Sequence, residues 1–112
     1  IVIGGSSDAA ARRAGRVGDG FFPYVIGPDE LAVRIATIRA TARDHGRDPD
    51  AIEITAWPGC WKPGASLDAD VLRAFVDVGV RRIVVSAQEC GSTELDDIRG
   101  FVRRVRGLVD GL

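Results

Sequence analysis

Short β-branched or aromatic runs alternate with stretches of helical apolar spacing along the whole chain, and no other feature restricts its fold as much. Ile1-Val2-Ile3 is the first such run; it ends in Gly4-Gly5-Ser6-Ser7-Asp8 and leads into a helix predicted from Ala10, Ala14 and Val17 and stopped at Gly18. Ser6 or Ser7 supplies its N-cap, and Asp8 suits the positive end of the helix dipole. A second strand reads from Gly20 through Phe21, Phe22 and Pro23 towards Val25, and Gly27-Pro28-Asp29-Glu30 opens the next helix with proline at its first turn. Leu31, Ile35, Ile38 and Ala42 line one face of that helix, His45-Gly46 closes it, and Arg47-Asp48-Pro49-Asp50 is a polar turn.

Ile52 and Ile54, with Glu53 and Thr55 between and beyond them, make a third strand. The following Trp57-Pro58-Gly59-Cys60-Trp61-Lys62-Pro63-Gly64 is so rich in proline and glycine that an irregular loop is expected. From Asp68 a helix directs Val71, Leu72, Phe75 and Val76 inward and ends near Gly79; Arg82-Ile83-Val84-Val85-Ser86 is the fourth strand; Leu95, Ile98, Val102, Val105 and Val109 mark the last helix. Strands joined through helices run parallel, because each crossover returns the chain to the same direction. Either an open doubly wound sheet or half of an eight-stranded barrel satisfies this α/β order.

Composition narrows the function classes. A hydrophobic content of 46% and a charged content of 28% are those of a globular domain, and the length suits one domain. The net charge of −1 offers no concentrated basic surface, so no nucleic-acid partner is expected. Basic residues at positions 99–106 alternate with apolar ones, as on a solvated helix face. No apolar stretch reaches membrane-spanning length and no signal sequence opens the chain, so no membrane partner and a cytoplasmic location are expected. The chain begins at Ile1 and holds no methionine, which is expected of a piece of something longer. Cys60 and Cys90 are too few and too far apart for a disulfide framework or a zinc site; free thiols and no metal are expected.

Chemistry concentrates at Gly4-Gly5-Ser6-Ser7, where glycines let the backbone approach an anion and the first N–H groups of a helix point at it. The pattern is neither the dinucleotide fingerprint nor the P-loop, and a capped helix without a ligand satisfies the same residues. Trp57, Trp61 and Lys62 follow the third strand, at the end of a parallel sheet where function collects, although loop packing also accounts for them. His45 reads as a helix C-cap. Gln88, Glu89 and Cys90 follow the fourth strand, and no histidine is placed to activate either thiol.

The run from Ile3-Gly4-Gly5-Ser6-Ser7 through Gly18-Asp19-Gly20-Phe21-Phe22-Pro23 resembles the luciferase-like monooxygenase family, including its deazaflavin-dependent members. So do the Pro28-Asp29-Glu30-Leu31 helix start, the Gly46-Arg47-Asp48-Pro49 turn before Ile52-Glu53-Ile54-Thr55, and Gly79-Val80-Arg81-Arg82-Ile83-Val84-Val85. The resemblance implies a (βα)4 unit, the C-terminal half of a (β/α)8 TIM barrel spanning residues 1–112 as one partial domain, with these strands as the fifth to eighth. It implies FMN or coenzyme F-420, a deazaflavin, at the C-terminal ends of the strands. Carried over, Gly4, Gly5, Ser6 and Ser7 donate to the cofactor phosphate, and Asp19, Gly20 and Phe21 stand beside that site. Asp19 reads equally well as the brace of a helix-to-strand turn.

Some deazaflavin members carry a lysine just after the second of these strands, whereas residues 22–27 here hold no base, so both cofactors stay open. The implied parent is an oxidoreductase or monooxygenase acting on a small-molecule substrate as a homo-oligomer, with its catalytic residues mostly elsewhere and no turnover by this piece alone. Two alternatives stand beside it: a non-catalytic α/β module binding a phosphorylated ligand or a partner chain, and an enzyme of another phosphate-binding barrel family.

Overall fold

In a computed structural model, residues 1–61 and 68–112 are described. Their strands are β1 (Val2–Gly4), β2 (Gly20–Phe22), β3 (Glu53–Ala56) and β4 (Arg82–Ile83); the helices are α1 (Asp8–Val17), α2 (Pro28–Asp44), α3 (Pro58–Trp61), α4 (Ala69–Asp77) and α5 (Leu95–Asp110). Single 3-10 turns at Pro49–Ala51 and Ala87–Cys90 complete the order. All strands are parallel and lie side by side in chain order, β1-β2-β3-β4. A doubly wound sheet reverses its strand order at a switch point, and no reversal occurs here. Of the two architectures compatible with the sequence, this single winding is the one found in part of a (β/α)8 barrel.

Register divides the sheet into two faces. Ile3 and Ile54 flank Phe21 across the strands, and all three are buried in one cluster with Ala11 and Ala14 of α1, Leu31 and Ile38 of α2, and Phe75 of α4. Val2, Glu53 and Arg82 lie on the opposite face; Val2 is 65% exposed, and Glu53 and Arg82 form an ion pair at 3.2 Å in solvent. A parallel sheet is normally covered on both faces. The radius of gyration of 15.0 Å exceeds the roughly 13 Å expected of a compact domain this long.

Several elements are shorter than their patterns. β2 stops at Phe22 because Pro23 has no N–H for the ladder, and β4 pairs only at Arg82 and Ile83, with the Val84 N–H still reaching the Ala56 carbonyl at 2.8 Å. The stretch expected to be wholly irregular contains α3, whose Pro58 sits at its first position, where a proline is tolerated. Lys62, Pro63 and Gly64 lie outside the described residues, as does the side chain of Cys60. In α2 the buried residues are Leu31, Ile35, Ile38 and Ala42, the stripe read from spacing. In α5 the buried residues are Phe101 and Val105, while Leu95, Val102 and Val109 are exposed.

The tightest helix contact is between α1 and α2. A Cβ on Gly15 would stand 2.6 Å from Thr41 Cβ and 2.8 Å from the Ile38 carbonyl oxygen, so only hydrogen fits between the two backbones. Below that contact Arg47 gathers the end of α1: its guanidinium donates to the carbonyls of Ala14 (3.2 Å), Gly15 (2.6 Å) and Gly18 (2.5 Å). The Ala14 carbonyl also accepts from the Gly18 N–H at 2.9 Å, whereas those of Gly15 and Gly18 are acceptors left over at the helix C-terminus, where a cation is also favoured by the dipole.

Gly15→Ala tests the contact cleanly, since alanine favours a helix by about 1 kcal/mol over glycine, whereas overpacking costs roughly 1–3 kcal/mol. We expect net destabilisation in urea unfolding, with propensity overridden. Replacing Arg47 by alanine leaves carbonyls short of donors and should cost about 1–3 kcal/mol; Arg47→Lys should recover only part, because an ammonium cannot span the fork.

Candidate functional site

Because the strands are parallel, every loop that follows a strand emerges at the same end of the sheet. That end carries a continuous line of contacts. The Ser6 hydroxyl after β1 donates to the Tyr24 carbonyl after β2; the Tyr24 ring meets the Trp57 ring after β3 at 6.4 Å and 54°; the Trp57 indole N–H donates to Glu89 Oε2 after β4 at 3.2 Å. All four βα loops are thus joined into one rim.

Its first part is the α1 N-terminus. Gly5 has φ +95°, a left-handed conformation that favours glycine, and a Cβ there would meet Ala10 Cβ at 3.3 Å. Ser7 is the N-cap: its hydroxyl accepts from the Ala10 N–H at 3.1 Å, and the Ala11 N–H makes the first intrahelical bond to the Ser7 carbonyl. The N–H groups of Asp8 and Ala9 therefore precede the helix ladder. The Ser6 proton is already given to Tyr24, which leaves the Ser7 hydroxyl and the backbone as donors at this loop.

Charge around the loop is arranged by α2. Arg34 donates from Nε to the Ser6 carbonyl at 2.9 Å, and its guanidinium also lies 3.8 Å from Asp8 and 3.4 Å from Glu30. Arg12 pairs with Asp8 from within α1. Two guanidiniums and two carboxylates thus flank the turn. Arg34 escaped the sequence reading: its Glu30 partner four residues back is visible in the pattern, but its reach to Ser6 exists only in the folded chain.

Asp19, Gly20 and Phe21 do not join Gly4, Gly5, Ser6 and Ser7, contrary to expectation. Gly20 is level with Val2, so Asp19 sits at the opposite end of the strand, about 13 Å of chain rise from the Gly5 level. The Asp19 backbone instead bonds the Ile1 carbonyl and the Glu53 N–H. Phe21 is buried under α1 and α2 in the core. Through those backbone bonds Asp19 joins the starts of β1 and β3.

The remaining candidates separate. Trp61 places its ring edge-on to Phe75 at 5.8 Å and lies against Gly27, where a Cβ would be 2.7 Å from the indole; it packs α3 onto the core. Trp57 stays on the rim. His45 caps α2 at the far end, with Nδ1 2.9 Å from the Thr41 carbonyl oxygen. Cys90 is a half-buried free thiol in the turn after β4. In the basic stretch of α5, Arg99 and Arg106 pair with Asp96 and Asp110, and Arg104 lies over the Phe101 ring. Among the described residues no helix is long and apolar enough to cross a membrane, and no group of three or more His, Cys, Asp or Glu is placed to hold a metal ion.

Comparison with known proteins gives two findings. A family model described as luciferase-like monooxygenase matches residues 1–61, more than half of the chain. The phthiodiolone/phenolphthiodiolone dimycocerosates ketoreductase of Mycobacterium sp. (strain JLS) is 37% identical over 71 residues, covering 57% of this chain. The same stretch is 19% of the ketoreductase, so the chain corresponds to only a part of that relative's length.

Ser7→Ala removes the cap of α1 and should lower stability by about 1 kcal/mol in urea unfolding, and Ser7→Asp, which caps equally well, should not.

Proposed function

Because the chain belongs to the luciferase-like monooxygenase family, we propose that it is the C-terminal half of a (β/α)8 barrel, with β1 to β4 as the fifth to eighth strands, in a flavin- or deazaflavin-dependent oxidoreductase. Its role there is to anchor the phosphate of the cofactor. The observation that carries this reading is the α1 N-terminus: the N–H groups of Asp8 and Ala9 ahead of the ladder, the Ser7 hydroxyl, and a left-handed Gly5 that lets a ligand approach the backbone. Backbone donors aimed out of a helix start fit an anion.

The charges near that turn favour the same reading with one opposing member. The Asp8 carboxylate repels an anion, but Arg12 and Arg34 flank it and can turn towards a phosphate. Arg34 also answers the lack of a base at positions 22–27, since it brings a guanidinium to this loop from α2. FMN or coenzyme F-420 supplies hydride chemistry when bound, and a relative named as a ketoreductase agrees with reduction of a carbonyl substrate. The residues of this chain hold the cofactor's tail and close one side of the rim. Substrate determinants and any proton donor fall to the rest of the parent protein.

The open face of the sheet supports the half-barrel over a free-standing module. Val2 and Arg82 are exposed, and Glu53 is half-buried, on the face that a second set of strands would enclose. We extend the reading to a cytoplasmic homo-oligomer without nucleic-acid or membrane partners; the net charge of −1 is in keeping with it.

Titration of the full-length protein with FMN and with coenzyme F-420 tests the phosphate role. Gly5→Val forces a side chain into a left-handed position and should weaken binding about ten-fold or more, while Asp8→Asn removes a repelling charge and should tighten it by about two- to five-fold. Unchanged affinity in both variants overturns the assignment.

A further inference from the structure

The rim has a part that cofactor anchoring does not use. Glu89 sits in the 3-10 turn after β4, and one of its carboxylate oxygens accepts from both the Trp57 indole N–H at 3.2 Å and the backbone N–H of Ser86. The other end of this arrangement is prepared by Gly59: a Cβ there would overlap the Glu89 carboxylate and push it from this position. Ser86 completes a reciprocal capping box with Glu89 that fixes the carboxylate's own position, and Gly91, at φ +77°, turns the chain away immediately after it.

With its one polar edge satisfied by Glu89, the Trp57 indole has only apolar ring surface left to offer, and it is paired with Tyr24, which is 64% exposed. We propose that Glu89 is the positioning residue of this rim: it holds Trp57 so that Tyr24 and Trp57 form a preformed aromatic wall against a planar ring of the bound ligand. The wall joins the loops after β2 and β3, and Glu89 locks it from the loop after β4. Pre-organisation of this kind lowers the ordering cost at binding. The proposal rests on the reading of this end of the sheet as the ligand-facing one.

The test uses the full-length protein labelled with 15N-indole tryptophan, with the Trp57 N–H resonance assigned by its loss in Trp57→Phe. Glu89→Ala should shift that resonance and raise its exchange with water. Glu89→Gln keeps an acceptor oxygen and should leave it nearly in place. Gly59→Ala, which displaces the carboxylate without removing it, should resemble Glu89→Ala. In parallel, affinity for FMN or coenzyme F-420 should fall by about two- to ten-fold in Glu89→Ala, the worth of one hydrogen bond, and recover in Glu89→Gln. An unmoved Trp57 resonance in Glu89→Ala overturns the positioning role, and unchanged affinity despite a freed indole overturns the wall. A parent protein that binds neither cofactor, yet whose indole is freed by Glu89→Ala, refutes the flavin reading and upholds the positioning role.

Discussion

The guanidinium of Arg47 is the point on which the rest of the structure leans. A helix that crosses between parallel strands must end where the next strand begins, and its last carbonyls are left without partners at that place. Arg47 satisfies those of Gly15 and Gly18, and adds a second donor to that of Ala14, from the turn that precedes β3, so one side chain ties the end of α1 to the start of two strands. The Gly15 contact then sets the distance between α1 and α2. With helix ends and helix spacing both determined, the register of Ile3, Phe21 and Ile54 follows, and the loops at the far end have a rigid base from which to meet.

Much of this was legible beforehand where a local rule and the tertiary demand agreed. The α2 stripe, its proline start and its His45 end were readable because one periodic face was both helical and buried. The strand order was not readable, since spacing dictates that strands are parallel but not where each lies. α5 shows the other limit: Leu95, Val102 and Val109 repeat every seven residues and look like a buried seam, yet Phe101 and Val105 meet the rest of the chain. Spacing reports that a face is apolar; it does not report which neighbour that face finds.

The candidate site divides along the same line. Ser7 as a cap and Gly5 as a permissive turn residue are local properties and could be read. Asp19 lies at the other end of the sheet from Gly5 because Gly18-Asp19-Gly20 opens β2 whereas Gly4-Gly5 closes the parallel strand β1, a placement that the spacing of the two motifs does not report. Arg34, Tyr24 and the Glu89 lock depend on residues 28 to 32 positions apart or on neighbouring loops, and no short-range pattern announces them.

The ion pair of Glu53 and Arg82 has a consequence for anything laid over the open face. In solvent the pair contributes little, because water screens it as well as the partner does. Under a covering layer the same two charges lose their hydration, and each must then be repaid with hydrogen bonds or left in contact with trapped water. An all-hydrocarbon surface would be rejected at this spot. A cover that brings polar groups to this spot therefore fits the pair better than one that does not.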